Sequence, residues 1–533
     1  MRKSITEIAP GPAHTVRRTA LRLLPLLIGL GLAGLTLYAY RNLPERPFAA
    51  DDYQWLLNVQ DRDLGALLRA AFDPTEQTHF YRPLVWLLFW VQLRLFGLEP
   101  LGFHLVSLGL HLLNAGLLGA LVYRLLQPPD SILSTADQDG HSSKRNTQNV
   151  ALLAGGLAAL HPAPFEAVAW VAAQSELLAA ALLLAMLHLW VGRRPAASAS
   201  AALGPWPLAA TLVLALALLA KESAVIGLGL LALLEWSRPT PADGRLSLWP
   251  SALRLAPPGL LTLGYLLLQV QIGGRNYLLG SGGYGLGWQL VQNPLRSLAL
   301  IAAPLPGTER ADTAWLPQLG AVVAALLGLI LLASIPAALL ARPRSARARC
   351  RIAAVFALLL TLLPTAPFVS PPDSRYLYLS VFAAVLLLAL LIAQGLTAGH
   401  NPATAPFLEP KTQNSKLKTQ NFAAWLLVLA ALLLLWQAPG EVAGREGRFA
   451  AATGPGGSLW RLASALCAAE TPQRLLVVEP PLAGPHAEAI VRLACGPHVR
   501  PMVVARDQIE QAIEPNSVVV AFPNGSAEIE RRT

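Results

Sequence analysis

The chain has 533 residues, 54% of them hydrophobic and 14% charged, with a formal net charge of +10. A soluble globular chain carries about 25% charged residues, so this composition, with a mean hydropathy of +0.48, excludes an ordinary water-soluble domain. The positive charge could suggest a nucleic-acid partner, but its distribution argues otherwise, because Lys and Arg sit in short clusters between apolar runs.

A membrane-crossing helix needs about 20 apolar residues to span a hydrocarbon core of about 30 Å. The first such run, Leu21–Tyr40, follows Arg2, Lys3, Arg17 and Arg18, which predicts a cytoplasmic N-terminus (1–20) and a retained first helix with no small-residue cleavage site after it. An outer segment, 41–100, follows and carries the adjacent pair Asp51 and Asp52. Within it 84–96 is short and holds Gln92 and Arg94, the pattern of an interfacial helix and not of a span. Further spans are expected at 101–126, 150–171, 176–192, 206–220, 223–236, 251–272, 316–341, 352–369, 376–396 and 421–438, with 286–305 as a surface helix in an outer loop. This threading puts nearly every basic cluster inside, including the five arginines between Arg342 and Arg351. The predicted fold class is an all-α polytopic membrane protein with about eleven transmembrane helices over 21–438.

Residues 439–533 read as a small extracytoplasmic α/β domain of accessory character. Strands are expected at 474–479, 501–505 and 517–522, with helices at 484–495 and 507–513 between them. Cys467 and Cys495 pair if this domain faces an oxidising compartment, and are otherwise two buried thiols. His486, Glu488 and His498 read as solvated side chains.

Ionisable groups at a membrane edge are expensive, which makes each a functional candidate. Here they gather at the predicted outer ends of the helices. Asp51-Asp52-Tyr53 is followed by Tyr81-Arg82-Pro83-Leu84, then by His161-Pro162 and Glu166, Gln174-Ser175-Glu176, Lys221-Glu222, Arg275, and finally Asp373, Arg375, Tyr376 and Tyr378. Each has a structural reading beside the functional one. The aspartates can cap a juxtamembrane helix, and His104, His111 and Asn114 can hydrogen-bond across helices. His161-Pro162 can be a kink, Lys221-Glu222 an ion pair at a turn, Arg375 an interfacial anchor, and the tyrosines belt residues.

The order and spacing of these motifs resemble the GT-C class of polyprenyl-phosphate-sugar-dependent glycosyltransferases. The likeness is to bacterial relatives of the transmembrane O-mannosyltransferases that carry tetratricopeptide repeats. It rests on the motifs above together with Gly102-Phe-His-Leu-Val-Ser, His161-Pro-Ala-Pro-Phe-Glu-Ala-Val-Ala-Trp-Val, Ser175-Glu-Leu-Leu-Ala, Ala220-Lys-Glu-Ser and Ser374-Arg-Tyr-Leu-Tyr-Leu, across roughly 20–400. The chain departs from the pattern in having no 34-residue repeat after 439 and in carrying Glu176 where such families often have Asp.

The resemblance implies sugar transfer, of hexosyl or mannosyl type, from a polyprenyl-phosphate donor to an acceptor protein or glycolipid on the outer face of a plasma membrane. Asp51, Asp52 and Glu176 are then the catalytic candidates. Tyr81, Arg82, His161, Glu166, Lys221, Glu222, Arg275, Arg375, Tyr376 and Tyr378 are the substrate-binding candidates. A divalent Mg or Mn ion, held by Asp52 and Glu176, is an open element of the same reading. The competing expectations are a lipid or solute transporter and a non-catalytic scaffold on the same fold.

Overall fold

The computed structural model describes residues 12–76, 80–127, 139–191, 204–237, 248–273, 282–302, 346–397, 410–470 and 472–532. The expected span 316–341 and Arg275 lie outside the described residues. The chain begins with α1 (Pro12–Ala39), a 3-10 turn (Leu43–Glu45) and two short helices, α2 (Asp51–Val59) and α3 (Leu64–Phe72). Then come α4 (Pro83–Phe96), α5 (Pro100–Leu126), α6 (Asp139–Leu160), α7 (Phe165–Ala169), α8 (Gln174–Val191), α9 (Pro205–Ala220) and α10 (Ile226–Ser237). They are followed by α11 (Leu248–Gly273), α12 (Gln289–Ala302), α13 (Ala346–Leu362), α14 (Tyr378–Thr397) and α15 (Pro410–Ala469).

Seven helical segments among the described residues are long and apolar enough to cross a membrane. The surface agrees with that solvent. Leu26, Leu27 and Leu30 of α1, Leu260, Leu267 and Val270 of α11, and Trp425 and Trp436 of α15 are all exposed, a pattern that suits lipid and not water. α12 turns its polar Asn293 and Ser297 inward and leaves Leu290, Val291 and Leu295 outside. α4, at 14 residues, is about 21 Å long and too short to span.

The helices pack closely where side chains are absent. At the α5–α6 crossing, a Cβ on Gly119 would stand 3.0 Å from the Ala151 carbonyl oxygen, the close backbone approach that small residues permit in membranes.

Two expectations are corrected. The single helix expected over 150–171 is broken: α6 ends at Leu160 and α7 starts at Phe165. Pro162 and Pro164 have no N–H to continue the ladder, and their rings clash with the preceding turn. The expected boundary at 439 falls inside α15, which runs 60 residues through Pro439 and Pro455. A Pro-Gly pair usually punctuates a helix; here the helix continues as an arm to Ala469 and hands the chain to the sheet.

That sheet has strand order β2-β1-β3-β4. β1 (Arg474–Val478) pairs parallel with β2 (Arg500–Val504) and with β3 (Ser517–Ala521), and β3 pairs antiparallel with β4 (Glu528–Arg532). α16 (Gly484–Cys495) joins β1 to β2, and one turn, α17 (Ile509–Ala512), precedes β3. Every residue of β3 is buried, as a continuous Val run requires in a parallel sheet covered on both faces.

The molecule is thus an all-α membrane bundle with a small C-terminal α/β unit. It has two main cores. One lies inside the bundle around Leu118, Leu157, Leu183, Leu214 and Val381. The other lies at one end of the bundle, where Tyr53, Leu56, Val85 and Phe89 of the first loop meet Leu459, Val477 and Ile490 of the arm and the sheet unit. The second core positions the site.

Candidate active site

α2 starts from a strained residue. Ala50 has φ 42°, a left-handed value that a residue with a Cβ adopts only when its surroundings impose it. Those surroundings are visible. The Trp170 indole donates to the Ala49 carbonyl at 3.1 Å, and the Ala49 amide donates to Asp52 Oδ2 at 2.8 Å. The Ala172 amide donates to Asp52 Oδ1 at 2.6 Å. Asp52 is 1% exposed, so both its oxygens are engaged inside protein, and burial pushes its acid well above the usual carboxylate range despite the two amide bonds. Its neighbour is placed differently. The Asp51 side chain is 44% exposed and accepts a 2.8 Å hydrogen bond from His486 Nε2 of α16.

The cations collect next to this loop. Tyr81 donates its hydroxyl to the Phe72 carbonyl at 3.2 Å and pins the end of the loop. Arg82 follows, forked onto Glu222 at 2.9 and 2.7 Å and lying 4.2 Å over the Phe80 ring. Lys221 Nζ stands 2.9 Å from Glu176, each side chain only 5% exposed. Burial, then Arg82, pulls the Lys221 ammonium below its ordinary pKa. Burial would raise the Glu222 acid, but Arg82 and Lys221 outweigh it and hold that carboxyl at about 2. Lys221 also lies 5.5 Å from the Tyr376 ring.

Arg375 is the more accessible cation, with its side chain 21% exposed. It pairs with Asp373 at 2.7 Å and with Glu166 at 3.8 Å. Its guanidinium lies 4.6 Å over both the Trp170 and Tyr376 rings, and it donates to the Tyr376 hydroxyl at 3.3 Å. Burial and then Asp373 push the Glu166 acid upward, against Arg375. Trp170 therefore joins the two halves of the site: its N–H holds the backbone beside the aspartates, and its ring supports Arg375.

Two candidates are turned away from this cluster. His161 accepts from the Ala163 amide at 3.2 Å and shares its other nitrogen with the Ile301 carbonyl at 3.0 Å. It closes the broken end of α6. Tyr378 lies one turn inside the bundle, where its hydroxyl meets His111 Nδ1 at 2.8 Å and receives Asn114 Nδ2 at 3.1 Å. His111 reaches the Ala159 carbonyl and Asn114 the Leu177 carbonyl. This is the cross-helix bonding that the sequence suggests for His111 and Asn114.

Asp52 and Glu176, the two candidates for the open metal site, are already partnered and do not suit an ion. Amide donors fill the first, and an ammonium faces the second. Among the described residues no group of three His, Cys, Asp or Glu side chains comes together to hold an ion. Sequence reasoning also missed two members of the site. Trp170 was visible only as part of a motif, and His486, expected to be solvated, is bonded to Asp51 from 435 positions away. An apolar groove of about 420 Å³ between α1, α5 and α6 shares no residue with the charged cluster.

No family model matches the chain, and no curated protein matches it. Among solved structures it is similar to ArnT from Cupriavidus metallidurans bound to undecaprenyl phosphate, at 14% identity and a TM-score of 0.44 over 95% of this chain and 94% of that one. It is similar to the Archaeoglobus fulgidus oligosaccharyltransferase tethered with an acceptor peptide, at 13% identity and a TM-score of 0.44 over 90% of this chain. It is also similar to that oligosaccharyltransferase in complex with Zn and sulfate, at 14% identity and a TM-score of 0.48 over 89% of this chain. The chain spans 64% and 62% of those two oligosaccharyltransferase chains, less than two thirds of their length. These are loose likenesses.

Proposed function

We propose that the chain is a membrane glycosyltransferase that moves a sugar, of hexosyl type, from a polyprenyl-phosphate donor to a hydroxyl of a protein or glycolipid at the outer face. The observation that carries this reading is Trp170, whose N–H holds the Ala49 carbonyl two residues before the half-exposed carboxylate Asp51 and whose ring lies under the partly exposed guanidinium of Arg375. The motif resemblance over the same residues supports it.

In this mechanism the acceptor hydroxyl gives its proton to Asp51 as general base. Its oxygen bonds to the anomeric carbon while the bond from that carbon to the phosphate oxygen breaks. The electron pair stays on the phosphate, which leaves on its lipid. Arg375 offers that phosphate two parallel N–H groups, which match its oxygens, and the phosphate takes the place that Asp373 and Glu166 hold here. Tyr376 keeps the guanidinium oriented. Asp52 sets the backbone from which Asp51 projects. The pairs Arg82–Glu222 and Lys221–Glu176 form a charged floor that fixes the turns carrying these groups. Preorganised charge of this kind acts where charge develops in the transition state. No step is assigned to a metal ion.

The outer placement of 439–533 is part of the proposal. A Cys467–Cys495 disulfide, Cα–Cα 5.3 Å, suits an oxidising compartment outside a bacterial plasma membrane, and the basic N-terminal segment suits the cytoplasm. The test is Asp51→Asn in cells otherwise lacking the chain. Loss of the glycan that depends on this protein, with the protein amount unchanged, is expected. Undiminished transfer would overturn the assignment.

A further inference from the structure

The site as described takes its acid–base group from the first outer loop and its cations from the turns of the bundle. One contact comes from elsewhere. His486 belongs to the C-terminal α/β unit, on the third residue of α16 (Gly484–Cys495). It donates from Nε2 to Asp51 Oδ1 at 2.8 Å, with its side chain 21% exposed. We propose that His486 is a positioning residue for Asp51, so that the C-terminal unit completes the transfer site instead of serving as an accessory. This rests on the reading of Asp51 as the base.

A lone surface pair of this kind contributes about 0–1 kcal/mol and wanders. This one does not stand alone, because α16 is fastened to α2 on several sides. Its C-terminal Cys495 is bonded to Cys467 at the end of α15. Its Ile490 shares a buried core with Tyr53 and Leu56, the residues that follow the aspartates. The Tyr53 ring lies 5.8 Å from Trp460 of α15. Gly456 brings the arm between them: a Cβ there would lie 3.6 Å from Ile490 and 3.9 Å from Tyr53. At the next residue, a Cβ on Gly457 would stand 2.7 Å from Pro47, so only glycine lets the arm approach the loop this closely. The sheet is tied to the arm as well, through the Ala527 amide and Ser458 Oγ at 2.9 Å.

A carboxylate at the start of a helix has several rotamers. A hydrogen bond from a fixed imidazole to Oδ1 selects one of them and leaves the lone pairs of Oδ2 for a proton. That is the orienting role a third group plays for a catalytic base.

The experiment uses the full chain in cells that lack the wild-type copy. The reporter is the glycan that disappears from lipid and protein extracts, by mass spectrometry, when the chain is deleted. His486→Ala is expected to lower that glycan about 10- to 100-fold, the effect of a base misplaced by about 1 Å. His486→Gln, whose amide nitrogen reaches the Nε2 position, is expected to recover it to within about threefold. His486→Asn, with its amide too short to reach, stays low, and serves in place of the Ala variant if that chain does not accumulate. The double variant Asp51→Asn plus His486→Ala is expected to be no worse than Asp51→Asn alone, as for groups acting as a unit. Protein amount and the Cys467–Cys495 bond, read on non-reducing gels, are expected to be unchanged.

Wild-type transfer in His486→Ala and His486→Asn beside a silent Asp51→Asn overturns this inference and leaves the base intact. A silent His486→Gln also overturns it, because the imidazole would then be needed for more than a hydrogen bond. Full transfer in Asp51→Asn, or no glycan lost on deletion, overturns the function itself.

Discussion

Two polar clusters share this bundle, and they are built differently. Inside the helices, His111, Asn114 and Tyr378 bond one another and the carbonyls of Ala159 and Leu177. A few residues away, Gln92 and Gln174 do the same with each other, Ser107 and the Phe103 carbonyl. At the end of the bundle, Asp51, Arg375, Glu166 and Asp373 bond mainly to other charged side chains and remain partly exposed. A group tied to backbone in a buried site has a fixed task, because releasing it strands a carbonyl or an amide. A group bonded to partly exposed side chains can still meet a ligand, either beside its partner through a free oxygen or in the partner's place. The two adjacent aspartates show the contrast within one dipeptide: Asp52 belongs to the first kind and Asp51 to the second.

The sharpest way to break that comparison is to change both aspartates. Asp51→Asn is expected to reduce transfer by about 10²–10⁴-fold, the range for a lost general base, with no change in thermal stability of the purified protein. Asp52→Asn is expected to act on folding instead, because its new amide must face the Ala49 or the Ala172 N–H; a loss of about 1–3 kcal/mol follows from one stranded donor. Equal stability and equal loss of transfer in the two variants would erase the distinction.

Next in size is the charged floor. Lys221→Met leaves the buried Glu176 carboxylate uncompensated, which should lower stability by about 3–5 kcal/mol. Pairing it with Glu176→Leu should recover most of that, since an apolar pair of similar volume commonly replaces a buried ion pair without loss. Failure of the double variant to recover stability would mean that the two charges do more than fix their turns.

Much of this architecture was legible in the sequence, for physical reasons that also mark where legibility stops. Spans such as α5 and α14 announce themselves by apolar length alone, because lipid asks for little else. The sheet unit was readable from the switch between strand and helix periods, and α16 has the bounds expected of it, Gly484–Cys495. Only β4, a charged and exposed edge strand, gave no apolar signal. The break at His161-Pro162 hid inside a run whose composition looks continuous. α15 passed through Pro439 because the arm is held by tertiary contacts, notably Glu446, buried against Arg46 and Asn42, and no local rule reports those. In the site, residue types and order were legible, while pairings were not. Nothing in Arg82 or Glu222 says that they meet across 140 positions, and nothing in His486 points to Asp51.

The smaller effects test whether the charged cluster is poised for exchange. Arg375→Lys keeps the charge but loses the planar fork, its stacking on Trp170 and its reach to Tyr376. Binding of undecaprenyl phosphate to the purified protein in nanodiscs is expected to weaken about tenfold, a shift of about 1.4 kcal/mol. Tyr378→Phe, by contrast, removes one hydroxyl from the inner knot. It leaves His111 Nδ1 without that partner and releases one hydrogen of Asn114. Hydrogen bonds between membrane helices contribute about 1 kcal/mol, so a loss of that order in resistance to denaturant is expected, with undecaprenyl phosphate affinity unchanged. Were Tyr378→Phe to weaken lipid-phosphate binding as Arg375→Lys does, the inner knot would belong to the binding site. Partner type and exposure would then no longer separate the groups that build this protein from those that act in it.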